Sequence, residues 1–153
     1  MLKQSGGIAL YSRARAASAL KEFRGIGEID APTRAVWTVI EDIEAYPKFM
    51  PYTAEARLVK SESDAVFAYQ RLSPKIIGDR DYTLRIHKRS WPGENGLAYL
   101  SRWEPANEQG PVEKPGVFRV KLCEGSWLLE PAGAEKTRAT YSIYTDSGLA
   151  VPA

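Results

Sequence analysis

The stretch DAPTRAVWTVIEDI, Asp30–Ile43, runs directly into EAYPKFMP, Glu44–Pro51. Pro32 suits the first helical position and Asp30 lies where a negative charge favours a helix start. Val36, Val39, Ile40 and Ile43 recur at helical spacing, so the spacing predicts one apolar face, with Arg34, Thr38, Glu41 and Asp42 on the other and Trp37 at the edge. Pro47 disfavours helix at Tyr46. The helix is therefore expected to end near Glu44, with Tyr46, Phe49 and Met50 folding into a second short helix or turn. So much apolar surface at a helix end needs an apolar surface to lie against.

The flanking sequence supplies strands. On the N-terminal side a Gly6-Gly7 break precedes a strand-like Ile8–Tyr11 and a basic Ser12–Arg15, and FRGIGEI, Phe23–Ile29, alternates with little bulk at Gly25 and Gly27, where another chain segment can approach closely. Beyond Pro51 come TAEARLVK, AVFAYQRL, RDYTLRIHKRS, LAYLSRW, VFRVKLC, WLLEP and TRATYSIYTD, with turns expected at 61–64, 91–93 and 124–126. Tyr82, Leu84 and Ile86 alternate with Asp81, Thr83, Arg85 and His87, so one face looks inward and one meets water. Phe118, Val120 and Leu122 share a face, as do Ala139, Tyr141 and Ile143. In 65–72 the phase stays open, because Phe67 and Tyr69 oppose Val66 and Ala68. The segment 104–116 is long for a hairpin connection and reads as a lid that moves during ligand exchange. The expected fold is an α+β domain: a curved antiparallel sheet of about six to seven strands with one main helix on its concave side.

Composition narrows the function. The 153 residues are 44% hydrophobic and 26% charged, enough for one domain with a real core. A net charge of +2, from 21 basic and 19 acidic residues, gives no field that would draw nucleic acid. No stretch is long and apolar enough to cross a membrane, and no signal-peptide pattern opens the chain; a soluble protein is expected, its compartment undecided. The single cysteine, Cys123, forms no intrachain disulfide, and with the single histidine, His87, it cannot complete a zinc set. No metal or cofactor is expected. A Cys-His or Ser-His catalytic pair would have to use His87, whose phase opposes Tyr82, Leu84 and Ile86 and reads as solvent-facing.

Several motifs occur in an ordered series. DAPTRAVWTVIEDIEAYPKFMPYTAEARLV resembles the helix-then-strand entry of the START-type, helix-grip superfamily, which includes polyketide cyclases and lipid-transfer domains. SPKIIGDRDYTLRI resembles the pattern of START (StAR-related lipid transfer) domains, a proline and short spacer before Arg-Asp-aromatic at a strand start. GSWLLEP, TRATYSIYTDSG and LAVP resemble that family's last two strands and the exit toward a C-terminal helix. The resemblance covers most of the chain and implies a single START-like domain over 1–153 holding one hydrophobic molecule between sheet and helices. It also implies a C-terminal helix as lid, which is lacking after Ala153: either the chain is shortened or a partner copy covers the concave face, and an uncovered apolar groove would favour self-association or ligand occupancy.

By the same resemblance, Gln70 falls where many START domains place a polar or acidic tunnel residue and Ile86 where some place an arginine. Arg80, Tyr82, Leu84, Trp103, Val120 and Tyr141 join them as candidate ligand-binding residues. The plainer readings are a local ion pair or loop anchor for Arg80 and Asp81, a core hydrogen bond for Tyr82, and core packing for Trp103 and Trp127. The preferred function is a non-catalytic carrier that binds a hydrophobic small molecule of the lipid class and shields it from water, with transfer left open and with transient membrane contact and self-association as further expectations. The alternative is a polyketide cyclase-like or quinone-handling protein using the same cavity, which would need titratable side chains on the inward phase; an interaction module whose groove takes a protein partner is a third reading.

Overall fold

The computed structural model describes residues 3–146, so LAVP, the end of TRATYSIYTDSG and the point of the expected C-terminal helix lie outside the described residues. Helix α1 covers Thr33–Glu41 and passes into a 3-10 helix over Ile43–Lys48 that contains Pro47. Pro32 is the N-cap residue and not the first helical residue, with φ −59° and ψ 145°. The buried face is Thr33, Val36 and Trp37, with Ile40 packed beside them; Val39, expected in that stripe, is 52% exposed. The reason is angular: 33, 36, 37 and 40 follow the i, i+3, i+4, i+7 rule, and 39 turns away from that line. Trp37 stacks on Tyr99 at 5.0 Å and 20°. The helix start is pinned by Thr137, whose hydroxyl donates to the Ala31 carbonyl at 2.8 Å and lies 3.1 Å from the Thr33 hydroxyl.

Among the described residues ten strands form one sheet where six to seven were expected: β1 Lys3–Ser5, β2 Ile8–Ala14, β3 Lys21–Ile29, β4 Thr53–Ser61, β5 Ala65–Leu72, β6 Arg80–Gly93, β7 Gly96–Pro105, β8 Phe118–Arg119, β9 Leu122–Gly133 and β10 Lys136–Asp146. Their order is β1-β2-β3-β10-β9-β7-β6-β5-β4, with β8 paired parallel to β6 beside this path. The N-terminal segment supplies three strands beyond the seven that follow Pro51: β2 and β3 contain the strand-like Ile8–Tyr11 and Phe23–Ile29 read from the sequence, and β1 was not expected. Two expected turns are strand. Trp91-Pro92-Gly93 pairs with Gly96-Leu97-Ala98, so the reversal falls on Glu94-Asn95, where Gly96 at φ +124° supplies the backbone the hairpin needs. Glu124-Gly125-Ser126 runs through the middle of β9, because Gly125 serves close packing: a Cβ there would lie 2.5 Å from both the Trp103 ring and the Ser142 carbonyl oxygen.

Helix α1 lies over β7, β9 and β10, and the 3-10 helix packs on β4. That leaves the floor between them to β5, β6, β7, β9 and β10. The segment expected as a lid is held on the opposite side. The Ala106 amide donates to the Thr83 carbonyl, Asn107 Oδ1 accepts from the Thr83 amide at 2.8 Å, and Asn107 Nδ2 donates to the Val120 carbonyl at 2.9 Å. Gly110 presses on Thr83 so closely that a Cβ would fall 1.8 Å from its hydroxyl oxygen. Thr83 alternates with Tyr82 and Leu84, so this loop covers the outer face.

Candidate functional site

Tyr82, Leu84 and Ile86 stand on the inner face of β6 in the alternation read from the sequence, and they line a cavity of about 120 Å³ under α1 and the 3-10 helix. Gln70 enters from β5, Trp103 from β7 and Tyr141 from β10. The roof is Ile40, Ile43, Tyr46 and Met50, with the Tyr46 hydroxyl donating to the Ile40 carbonyl and so fixing the bend between the two helices. The apolar surface at the helix end therefore lies against a cavity. Two sequence candidates stand outside its wall: Val120 packs in the core cluster behind Leu84 and Ile86, and Arg80, 8% exposed, stacks its guanidinium over Phe118 at 5.5 Å.

Strand register orders the floor into levels. Ile86, Trp103, Gly125 and Ile143 are cross-strand neighbours from β6 to β10, forming an apolar level on which the Trp103 ring lies flat because Gly125 has no side chain. One step along, Lys88, Ser101, Trp127 and Tyr141 form the next level, with Trp127 and Tyr141 rings 4.7 Å apart. Lys88 meets Glu41 of α1 at 3.6 Å; these two are the charged residues of the lining. Toward the start of β6, the Tyr82 hydroxyl donates to Gln70 Oε1 at 3.2 Å.

Burial sets the protonation of the lining. It pushes the Cys123 thiol up to about 11 and Tyr141 up to about 12, with the neighbouring thiol adding to the latter. Tyr46 is likewise raised to about 12, by burial first and by Asp42 second. Tyr82, more deeply buried, is raised further still, also by burial. All four groups are neutral near pH 7.

Glu41, Lys88, Ser101, Cys123 and Trp127 were not singled out as site residues from the sequence. Lys88 was legible in principle, since it extends the 82, 84, 86 phase by one step. His87 lies on the outer face, 3.1 Å from Glu104. Arg80 and Asp81 do not pair with each other: Asp81 accepts from Arg119 Nε at 2.8 Å and from the Tyr69 hydroxyl at 2.8 Å. Among the described residues no group of three His, Cys, Asp or Glu side chains is placed to hold a metal ion. A second hollow, about 240 Å³, lies on the β2–β3 hairpin beside Tyr11, Arg13 and Phe23 and brings together none of the candidate residues.

The chain is 25% identical to an uncharacterized protein of Pseudomonas aeruginosa over 99% of its own length and 74% of the relative's. It is 23% identical to the phosphatidylcholine transfer protein of Mus musculus over 99% of this chain and 72% of that one. Among solved structures, a fragment of the STAR-related lipid transfer protein of Xanthomonas axonopodis superposes with a TM-score of 0.81 at 27% identity, covering 98% of this chain and 82% of the other. The fold is the START-type helix-grip, and the model of the polyketide cyclase / dehydrase and lipid transport family matches residues 29–153: the chain belongs to that family.

Proposed function

We propose that the protein is a non-catalytic carrier that holds a hydrophobic small molecule of the lipid class in the cavity between the sheet and the helices. The observation that carries this reading is the lining itself: Leu84, Ile86, Ile43, Ile143 and the rings of Trp103 and Trp127 meet at one place, and burying apolar surface there is worth roughly 25 cal/mol per Å². Gln70, Tyr82 and Tyr141 add sparse polar groups, as small-molecule sites do. Val120 supports the wall from behind, and Arg80 belongs to the strand start. The names of the mouse and Xanthomonas relatives point the same way. A cyclase would want an acid or base poised near neutrality; the raised tyrosines and thiol supply neither.

Membrane contact during exchange is supported by the exposed apolar side chains Phe49, Tyr52, Ile76 and Phe118. They share one end of the sheet, where the Ser73 amide donates to the Tyr52 carbonyl and the Phe118 amide to the Asp79 carbonyl. Self-association is supported by Ile8, Leu10 and Phe23, which continue the inner face past β10 and are 40–48% exposed. The deciding experiment is native mass spectrometry of the protein as purified, followed by organic extraction. A lipid-like molecule retained at one per chain is expected. A protein that retains nothing and takes up no acyl chain from vesicles is not a carrier.

A further inference from the structure

The level formed by Lys88, Ser101, Trp127 and Tyr141 crosses four adjacent strands, so neighbouring members stand about 4.8 Å apart. Each carries a donor: an ammonium, a hydroxyl, an indole N–H and a phenol. Ser101 is 6% exposed, yet its hydroxyl, like the Trp127 N–H and the Tyr141 hydroxyl, makes no hydrogen bond among the described residues. None of the three is among the sealed, unpartnered polar atoms of the fold; they open onto the cavity, so the donors gathered on one level are free to meet acceptors that a ligand brings. Lys88 has Glu41, but 3.6 Å is long beside the roughly 2.7–2.9 Å of a well-made charged hydrogen bond. The pair is loose enough to exchange. On one side lies the apolar level of Ile86, Trp103 and Ile143; on the other, Tyr99, Leu129 and Ala139 form the packed core under α1.

We infer that this level seats the oxyanion head, a carboxylate or a phosphate, of an amphiphilic ligand whose hydrocarbon part lies on Ile86, Leu84 and Trp103. The inference rests on the carrier reading and adds to it the charge of the ligand. The donor inventory decides the sign. An ammonium and an indole N–H donate only, and the two hydroxyls donate as readily as they accept, so the level matches a group rich in acceptors and carrying negative charge. A neutral alcohol would satisfy one hydroxyl and leave the Lys88 charge to Glu41. On binding, the oxyanion replaces the Glu41 carboxylate on Lys88 and takes the unpaired donors as well.

The test uses three probes with one C18 chain, oleate, oleoyl lysophosphatidate and oleyl alcohol, each titrated into the protein and followed by the fluorescence of the wall tryptophans. At least one anion is expected to bind about tenfold or more tighter than the alcohol, the ratio one charged hydrogen bond supplies. The better of the two anions identifies the head as carboxylate or phosphate. Lys88→Met should erase the anion's advantage over the alcohol, read as the ratio of the two affinities within the same variant, with the melting curve showing that the variant is folded. Glu41→Gln should raise anion affinity severalfold, because no carboxylate has to be displaced. Equal affinities for the three probes, or an anion advantage that survives Lys88→Met, overturn the head-group seat and leave the carrier reading standing. Failure of all three to bind removes the carrier reading and the seat with it.

Discussion

Strand β6 uses its polar side chains in opposite ways on its two faces. On the outer face Asp81, 1% exposed, accepts from Arg119 and Tyr69, and Arg119 Nη2 donates on to the Pro111 carbonyl at 2.7 Å. That network fixes the segment between β7 and β8 against the sheet. On the inner face Leu84 and Ile86 offer no polar atom, and Lys88 has one loose partner on the helix. The contrast teaches where the chain's stability resides and which face is left for something else to complete. Breaking the outer face should therefore unfold the protein, whereas changes on the inner face should alter what it binds.

The largest effect is expected from Asp81→Ala. It leaves the Arg119 side chain, 7% exposed, without its counter-charge, and a broken buried pair costs about 3–5 kcal/mol. Urea unfolding measures it; a loss below about 1 kcal/mol would show that the outer network does not hold the segment. Next comes alkaline pH, which probes the inner face. The Cys123 thiol sits at about 11 in the fold against an ordinary 9.0. Between those values the unfolded chain has released its proton and the folded chain has not, so the thiol's contribution is constant below pH 9 and stability falls as pH rises through the window, by on the order of 2 kcal/mol from this group. Cys123→Ser should reduce that slope between pH 9 and about 10, before the buried tyrosines, whose ordinary value is 10.0, begin to add a fall of the same sign.

Gly125→Ala follows. Its new methyl meets the Ser142 carbonyl oxygen and the Trp103 ring, each at 2.5 Å, and overpacking of this kind costs about 1–3 kcal/mol. Trp103 must tilt toward the cavity, so its fluorescence should shift together with the melting temperature. A shift in melting temperature alone would place the strain in the β9–β10 pairing. Thr83→Val runs the other way. Thr83 is fully buried on the outer face and its hydroxyl has no partner, so removing it should stabilise the protein by about 1 kcal/mol. A loss would mean that the hydroxyl is paired in solution, with water or with the Gly110 segment.

The asymmetry between the faces was only partly legible in the sequence. Residues 80–87 alternate cleanly, and the inner set they named, Tyr82, Leu84 and Ile86, does line the cavity. Residues 65–72 could not be phased, because β5 is buried on both faces: Val66 and Ala68 pack inward, while Phe67 and Tyr69 lie outward beneath the cationic side chains of Lys60 and Arg57. A strand covered on both sides has no reason to alternate. Gly125 read as a turn because a glycine between polar neighbours signals reversal and close approach equally well. The segment 104–116 read as a lid from its length, but its anchor, Asn107, bridges Thr83 and Val120 through tertiary hydrogen bonds that leave no periodic trace. Lys88 and Ser101 share a level only through the β6–β7 register, which was fixed by a hairpin turn falling two residues beyond the expected one.

The smallest effect sharpens the comparison most. Tyr82→Phe deletes a hydroxyl on the inner face that donates to Gln70 at 3.2 Å, and burial keeps that phenol protonated across the physiological range. A neutral hydrogen bond contributes about 0.5–1.5 kcal/mol, and Gln70 Oε1 opens onto the cavity, so the stability loss should fall at the low end of that range. The affinity for an amphiphile should change by no more than about twofold, because the hydroxyl is already engaged and the ring remains as wall. Titration of the variant with oleate, beside its melting curve, checks both. A tenfold loss of affinity without a loss of stability would mean that the Tyr82–Gln70 pair opens to the ligand. The inner face would then hold two polar seats about 20 Å apart along β6, and would select amphiphiles carrying a polar group at each end.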